Sequence, residues 1–161
     1  MSVTRPHYPF PRGLSKNSFA LWLADTMEDP TKVTIPARLL GALHAEAAKA
    51  APREACGILL GNGHDIERIS PAANVHSEPE TRFEIDPRAL IDAYRDARGG
   101  GPQVLGYYHS HPAGPPEPSS TDRAMAAADG SIWAIIGLGR VEFWRDGPSG
   151  FVPVGYSCPA R

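Results

Sequence analysis

The chain has 161 residues, 42% hydrophobic and 21% charged, with a formal net charge of −2. That is enough for one domain with a real core and too few for two comfortable ones. No Lys/Arg cluster of the kind a nucleic-acid binder carries is present, and no apolar run approaches the length of a membrane span. Two cysteines, Cys56 and Cys158, give no disulfide framework, so a cytoplasmic location is expected.

Residues 1–29 read as an N-terminal extension, partly disordered or packed on the surface, and 30–161 as the single domain. Pro6, Pro9, Pro11 and Gly13 discourage regular structure, and Ser18 to Leu23 has the composition for a helical turn or two. The apolar stretch is short and no clear cleavage site follows, so it is not read as a secretory signal. Met27 is an alternative start. Lys32 to Ile35 reads as a short strand, and Pro36 opens a helix, where its missing N–H costs little. Leu39, Leu40, Leu43 and Ala47 share one face of that helix, which ends before Pro52.

Glu54 to Gly61 is an apolar run that predicts a buried strand with Cys56 as a buried thiol. A turn through Asn62, Gly63 and an exposed His64 leads to its hairpin partner, Ile66 to about Ala73. Asn74 to Thr81 is a polar loop, and Arg82 to Ile85 a short extended piece. Asp86 at N-cap and Pro87 at N1 start a second helix with Leu90, Ala93, Tyr94 and Ala97 as its buried face. After Gly99-Gly100-Gly101-Pro102, Val104 to Tyr108 reads as a strand. A small-residue helix follows with Ala124, Met125, Ala127 and Ala128. Ser131 to Gly137 is an apolar strand, Arg140 to Arg145 an alternating one, and Phe151 to Val154 a final edge strand. The order gives an α/β fold, a mixed β-sheet flanked by helices, with no repeats and no internal linker.

The stretch from Gly106 to Asp122 carries the chemistry. In a strand, residues i and i+2 point to one face, so His109 and His111 present two imidazoles together while Ser110 points away. Pro112 ends the strand, and a Pro/Gly-rich loop turns the chain back. Ser119 reads as a helix N-cap with Asp122 in the first turn, close enough to bring its carboxylate over the histidines. Two His and one Asp leave a fourth tetrahedral position for water, as in a catalytic zinc site. Such a site needs a base for the water proton. Glu54, at the mouth of a buried strand, is one candidate, while Glu80, Glu84 and Glu117 compete; alternatively Glu54 pairs with Arg53.

His109-Ser110-His111-Pro112, Pro118-Ser119 and Asp122, with Glu54 far upstream, resemble the signature of the JAMM (MPN-plus) zinc metallopeptidases. The likeness spans roughly residues 31 to 155. Arg53 to Gly61, Arg82 to Pro87 and Trp133 to Gly137 resemble the short prokaryotic branch. The resemblance implies the JAMM fold, close in architecture to cytidine deaminases, with one Zn2+ per chain on His109, His111 and Asp122. It singles out Glu54 as general base and gives Ser119 a hydrogen bond to the tetrahedral oxyanion. It implies hydrolysis of an amide or isopeptide bond after the C-terminal Gly-Gly of a ubiquitin-like or sulfur-carrier protein, with residues Asn74 to Ile85 as groove wall. No insertion of the kind that selects linked ubiquitin chains is seen. A non-catalytic MPN-type scaffold is the alternative, and it would be expected to lose one or more of those four residues. A RadC-like protein would favour His-Asn-His, and a deaminase would need a Cys-x-x-Cys pair. Partner identity and oligomeric state do not follow from the sequence.

Overall fold

A computed structural model describes residues 32–159; the extension expected over residues 1–29 lies outside them. Seven strands and three helices follow in the order β1 (Lys32–Thr34), α1 (Ala37–Ala50), β2 (Cys56–Asn62), β3 (Asp65–Ala72), α2 (Pro87–Arg98), β4 (Gln103–Ser110), α3 (Ser120–Met125), β5 (Ile132–Gly137), β6 (Arg140–Gly147) and β7 (Gly150–Ser157). None of these helices is long and apolar enough to cross a membrane.

The sheet is mixed and closes on itself in the order β1-β3-β2-β4-β5-β6-β7. β2 lies antiparallel between β3 and β4, β4 and β5 run parallel, and β5, β6 and β7 form an antiparallel meander. β1 closes the ring, parallel to both neighbours. It meets β3 at Thr34↔Asp65 and β7 from Lys32↔Gly155 to Thr34↔Ser157. The last strand is therefore paired on both sides and is not the free edge its sequence suggests. Three residues of β1 carry too little local pattern to reveal a pairing with the far end of the chain.

Strand alternation splits the apolar residues into two layers. Ile132, Ala134 and Ile136 of β5, with Val141 and Phe143 of β6 and Tyr108 of β4, face the main core beneath Leu39 and Leu43 of α1. Each fully buried Leu or Ile there contributes about 1.5–3 kcal/mol. The opposite face of the sheet buries Cys56, Phe83, Ile85 and Trp133, and beside them Ile58 and Leu60 pack on Ala93 of α2. Gly57 is required where it stands, because a Cβ would run into the Tyr108 ring and the Ser70 carbonyl.

Three local expectations change. Tyr94 is exposed, since α2 seats Ala93 and partly buries Ala89 and Leu90 while Tyr94 stays at the rim, its hydroxyl 3.0 Å from that of Tyr107. α3 stops at Met125. Both Ala127 and Ala128 donate their N–H to the buried Asp146 carboxylate at 2.9 and 3.0 Å, and Ala128 takes a φ of 55°, which no α-helix continues through. His64 is half-buried, its carbonyl accepting from Thr34 N–H at 2.9 Å.

Candidate metal centre

β4 delivers His109, and His111 just past its last residue, to one end of the sheet, and α3 delivers Asp122 to the same point. Ser119 caps α3: its hydroxyl accepts from Asp122 N–H at 3.0 Å, while Asp122 Oδ2 accepts from Ser119 N–H at 2.8 Å. That reciprocal box fixes the helix start and aims the carboxylate. His109 Nε2 stands 3.0 Å from His111 Nε2, and each lies 3.2 Å from Asp122 Oδ2. Ligands at about 2.0–2.1 Å on a tetrahedral metal stand about 3.3 Å apart. The three donor atoms are thus spaced nearly as a common cation requires, and they are the cluster that suits a metal among the described residues.

His111 Nδ1 donates to the Pro115 carbonyl at 2.8 Å, since a carbonyl can only accept. That bond leaves Nε2 as the ring atom facing the centre. Burial works to lower the His111 imidazole, but its hydrogen bonds with Asp122 and Pro115 raise it, so without a cation a proton held at the centre favours His111. Burial pushes the His109 imidazole down, against the pull of Asp122, so it favours the neutral ring. Burial works to raise the Asp122 carboxyl, but hydrogen bonds with His109, His111 and Ser119 hold it well below the usual carboxylate range. Lone pairs and a carboxylate oxygen facing one another at 3.0–3.2 Å repel unless a cation or a shared proton lies between them. The residues fit a metal.

The surroundings are dry on one side. His109 is fully buried, its ring stacked on Phe83 at 4.3 Å and edge-on to Trp133 at 5.7 Å. On the other side a cleft of about 360 Å³ opens between Glu80 and Thr81 of the polar loop and the His111–Pro115 and Glu117–Ser119 segments. Glu54 lines this cleft and is only 6% exposed. Burial pushes its carboxyl up to about 7, with His111 opposing and Asp122 reinforcing. No ion pair joins it to Arg53 among the described residues. Of its rivals, Glu80 and Glu117 sit exposed on the cleft wall, and Glu84 is exposed on the loop. Cys56 is excluded as a nucleophile: burial, and then Glu54, push its thiol up to about 12, and it donates to the Ala72 carbonyl.

Sequence reasoning missed the residues that hold these groups. Ser110 points away from the centre as expected, but its buried hydroxyl accepts from Ala55 N–H at 2.8 Å, and Ser110 N–H donates to the Ala55 carbonyl at 3.0 Å. It thereby ties the chain beside Glu54 to the histidine strand. Gly137 has no room for a side chain, because a Cβ would strike the Gly114 carbonyl and crowd Pro115 and Pro116. That close approach, with Trp144 Nε1–H donating to the Pro116 carbonyl at 3.0 Å, seats the loop that steadies His111. The tertiary partners of these residues lie far away in sequence, and no local signal marks them.

A mixed closed sheet with a His-x-His strand end and a capped aspartate defines a protein of the JAB-domain class. Residues 36–147 match the family described as prokaryotic homologs of the JAB domain, and the chain belongs to that family. It is 35% identical over 91 residues to a desampylase of Haloferax volcanii, covering 55% of this chain and 66% of that relative. It is 39% identical over 88 residues to a Thermus thermophilus protein named "Probable TtuB-protein conjugate cleaving protease", covering 55% and 59%. The chain thus spans less than two thirds of the length of these relatives. A solution structure of a Desulfitobacterium hafniense protein is similar at TM-score 0.71 and 30% identity, covering 80% of this chain and 94% of that one.

Proposed function

We propose that this chain is a zinc-dependent metallopeptidase that hydrolyses an amide or isopeptide bond after the Gly-Gly terminus of a ubiquitin-like or sulfur-carrier protein. The convergence of His109 Nε2, His111 Nε2 and Asp122 Oδ2 beside a buried, cleft-lining Glu54 is the observation that carries this reading. His109, His111 and Asp122 hold the metal, one per chain. When bound, zinc supplies Lewis acidity and a water whose pKa falls to about 7.

Glu54 is the general base. Its carboxylate takes a proton as the water oxygen bonds to the acyl carbon, and hands a proton to the departing amine as the C–N bond breaks. A carboxyl raised to about 7 suits both halves of that exchange near neutral pH. Ser119 already accepts from Asp122 N–H, which leaves its O–H free to donate to the developing oxyanion. A cleft walled by a loop on each side suits an extended tail, such as Gly-Gly. The names of the Haloferax and Thermus relatives, a desampylase and a conjugate-cleaving protease, support a protein conjugate as substrate. Two free thiols suit a cytoplasmic setting.

A ubiquitin-like protein whose terminal Gly-Gly is amide-linked to aminomethylcoumarin tests the reading. The wild type releases the fluorophore, and Glu54→Gln, with its metal retained, is slower by about 10²–10⁴. Equal release by the two proteins removes Glu54 from the base role.

A further inference from the structure

We propose that Asn74 is a positioning residue that locks the groove wall to the base, so that Glu54 and the loop that flanks the substrate move as one unit. The inference rests on the assignment of Glu54 as base. One carboxamide makes five hydrogen bonds. Asn74 Nδ2 donates to the carbonyls of Glu54 at 3.1 Å, Arg82 at 2.9 Å and Pro79 at 3.4 Å. Asn74 Oδ1 accepts from the N–H groups of His76 and Glu84, both at 3.1 Å. The loop also grips Glu54 directly, since Glu54 N–H donates to the Pro79 carbonyl at 2.7 Å. Both backbone groups of Glu54 are therefore held by residues 74–79, and the same loop places Glu80 and Thr81 on the cleft.

The chemistry demands Asn at this point. The side chain must donate two protons to three carbonyls and accept from two amides at once, and an uncharged primary amide does both. Asp keeps the shape and both acceptor bonds but sets an oxygen against the carbonyls of Glu54, Pro79 and Arg82. Ala removes all five bonds. A base displaced by about 1 Å can cost about 10² in rate. A residue that merely stabilised the fold would lower the melting temperature and leave turnover per folded molecule unchanged.

The test compares wild type, Asn74→Asp and Asn74→Ala as full chains, loaded with zinc, by three readings: zinc per chain, kcat and KM on the Gly-Gly coumarin probe, and amide hydrogen exchange. The expected result is zinc at the wild-type level in all three proteins and kcat lower by about 10–100-fold in both variants. The Glu54 amide exchanges faster in both. The His76 and Glu84 amides exchange faster in Asn74→Ala but stay protected in Asn74→Asp. Wild-type kcat in either folded variant, or Glu54 exchange unchanged in Asn74→Asp, overturns the proposal. Loss of zinc in parallel with activity overturns it too, by moving the effect to the metal centre. A zinc-loaded wild type that leaves the probe intact counts against the peptidase reading instead, and the exchange pattern then decides for or against the Asn74 lock by itself.

Discussion

Glu54 and Ser119 each carry a local cost or gain that can be measured apart from catalysis. A carboxyl whose folded pKa is raised from 4.5 to about 7 by burial binds its proton more tightly in the fold than in the unfolded chain. The cost of holding it ionised in the fold is therefore absent below pH 4.5, grows as pH rises, and is fully felt above about 7. In chelator-treated protein, Glu54→Gln should melt above wild type on the alkaline side, with the gap closing below pH 4.5; thermal unfolding across pH checks this, and equal melting at all pH values contradicts it. Ser119→Ala removes an N-cap, costing about 1 kcal/mol. It also removes the proposed oxyanion donor, so on that reading kcat on the Gly-Gly probe should fall by about 10²–10³. A variant that loses stability and keeps its kcat would leave Ser119 as a cap alone.

Elements bring these residues together, and here the sequence was readable wherever the rule was local. Period-two alternation placed His109 and His111 on one face, and the N-cap pattern placed Asp122 over them; both are written within a few residues. The length of α3 was not readable, because its stop depends on Asp146, which reaches Ala127 and Ala128 from β6. Neither was the seat of the loop after His111, which depends on the missing side chain of Gly137. Gly137→Ala should push that loop off the end of β5 and weaken the Pro115 bond that orients His111. Zinc affinity should then drop by about 10–100-fold in a competitive chelator titration. Unchanged affinity would mean that His111 holds its direction without the loop.

At the scale of the whole molecule, the ring is closed by its shortest strand. Val33 is 1% exposed and pairs across from Tyr156, joining the start of the described chain to its end. The mixed sheet with flanking helices was legible from the order of elements, but this closure was not, since a parallel pairing between distant segments leaves no turn signal. Val33→Ala opens a cavity at the seam and should cost about 1–3 kcal/mol in denaturant unfolding. A cost near zero would mean the closure contributes little. At the same scale, the histidine-bearing end of β4 lies between β2, which begins two residues after Glu54, and β5, which ends under the His111 loop.

Whether His109, His111 and Asp122 hold a metal is read from elemental analysis of purified wild type beside Asp122→Ala. About one zinc per wild-type chain and little in the variant is the expected result. A folded wild type that takes up no zinc after resupply, or a variant that retains the full amount, would contradict it.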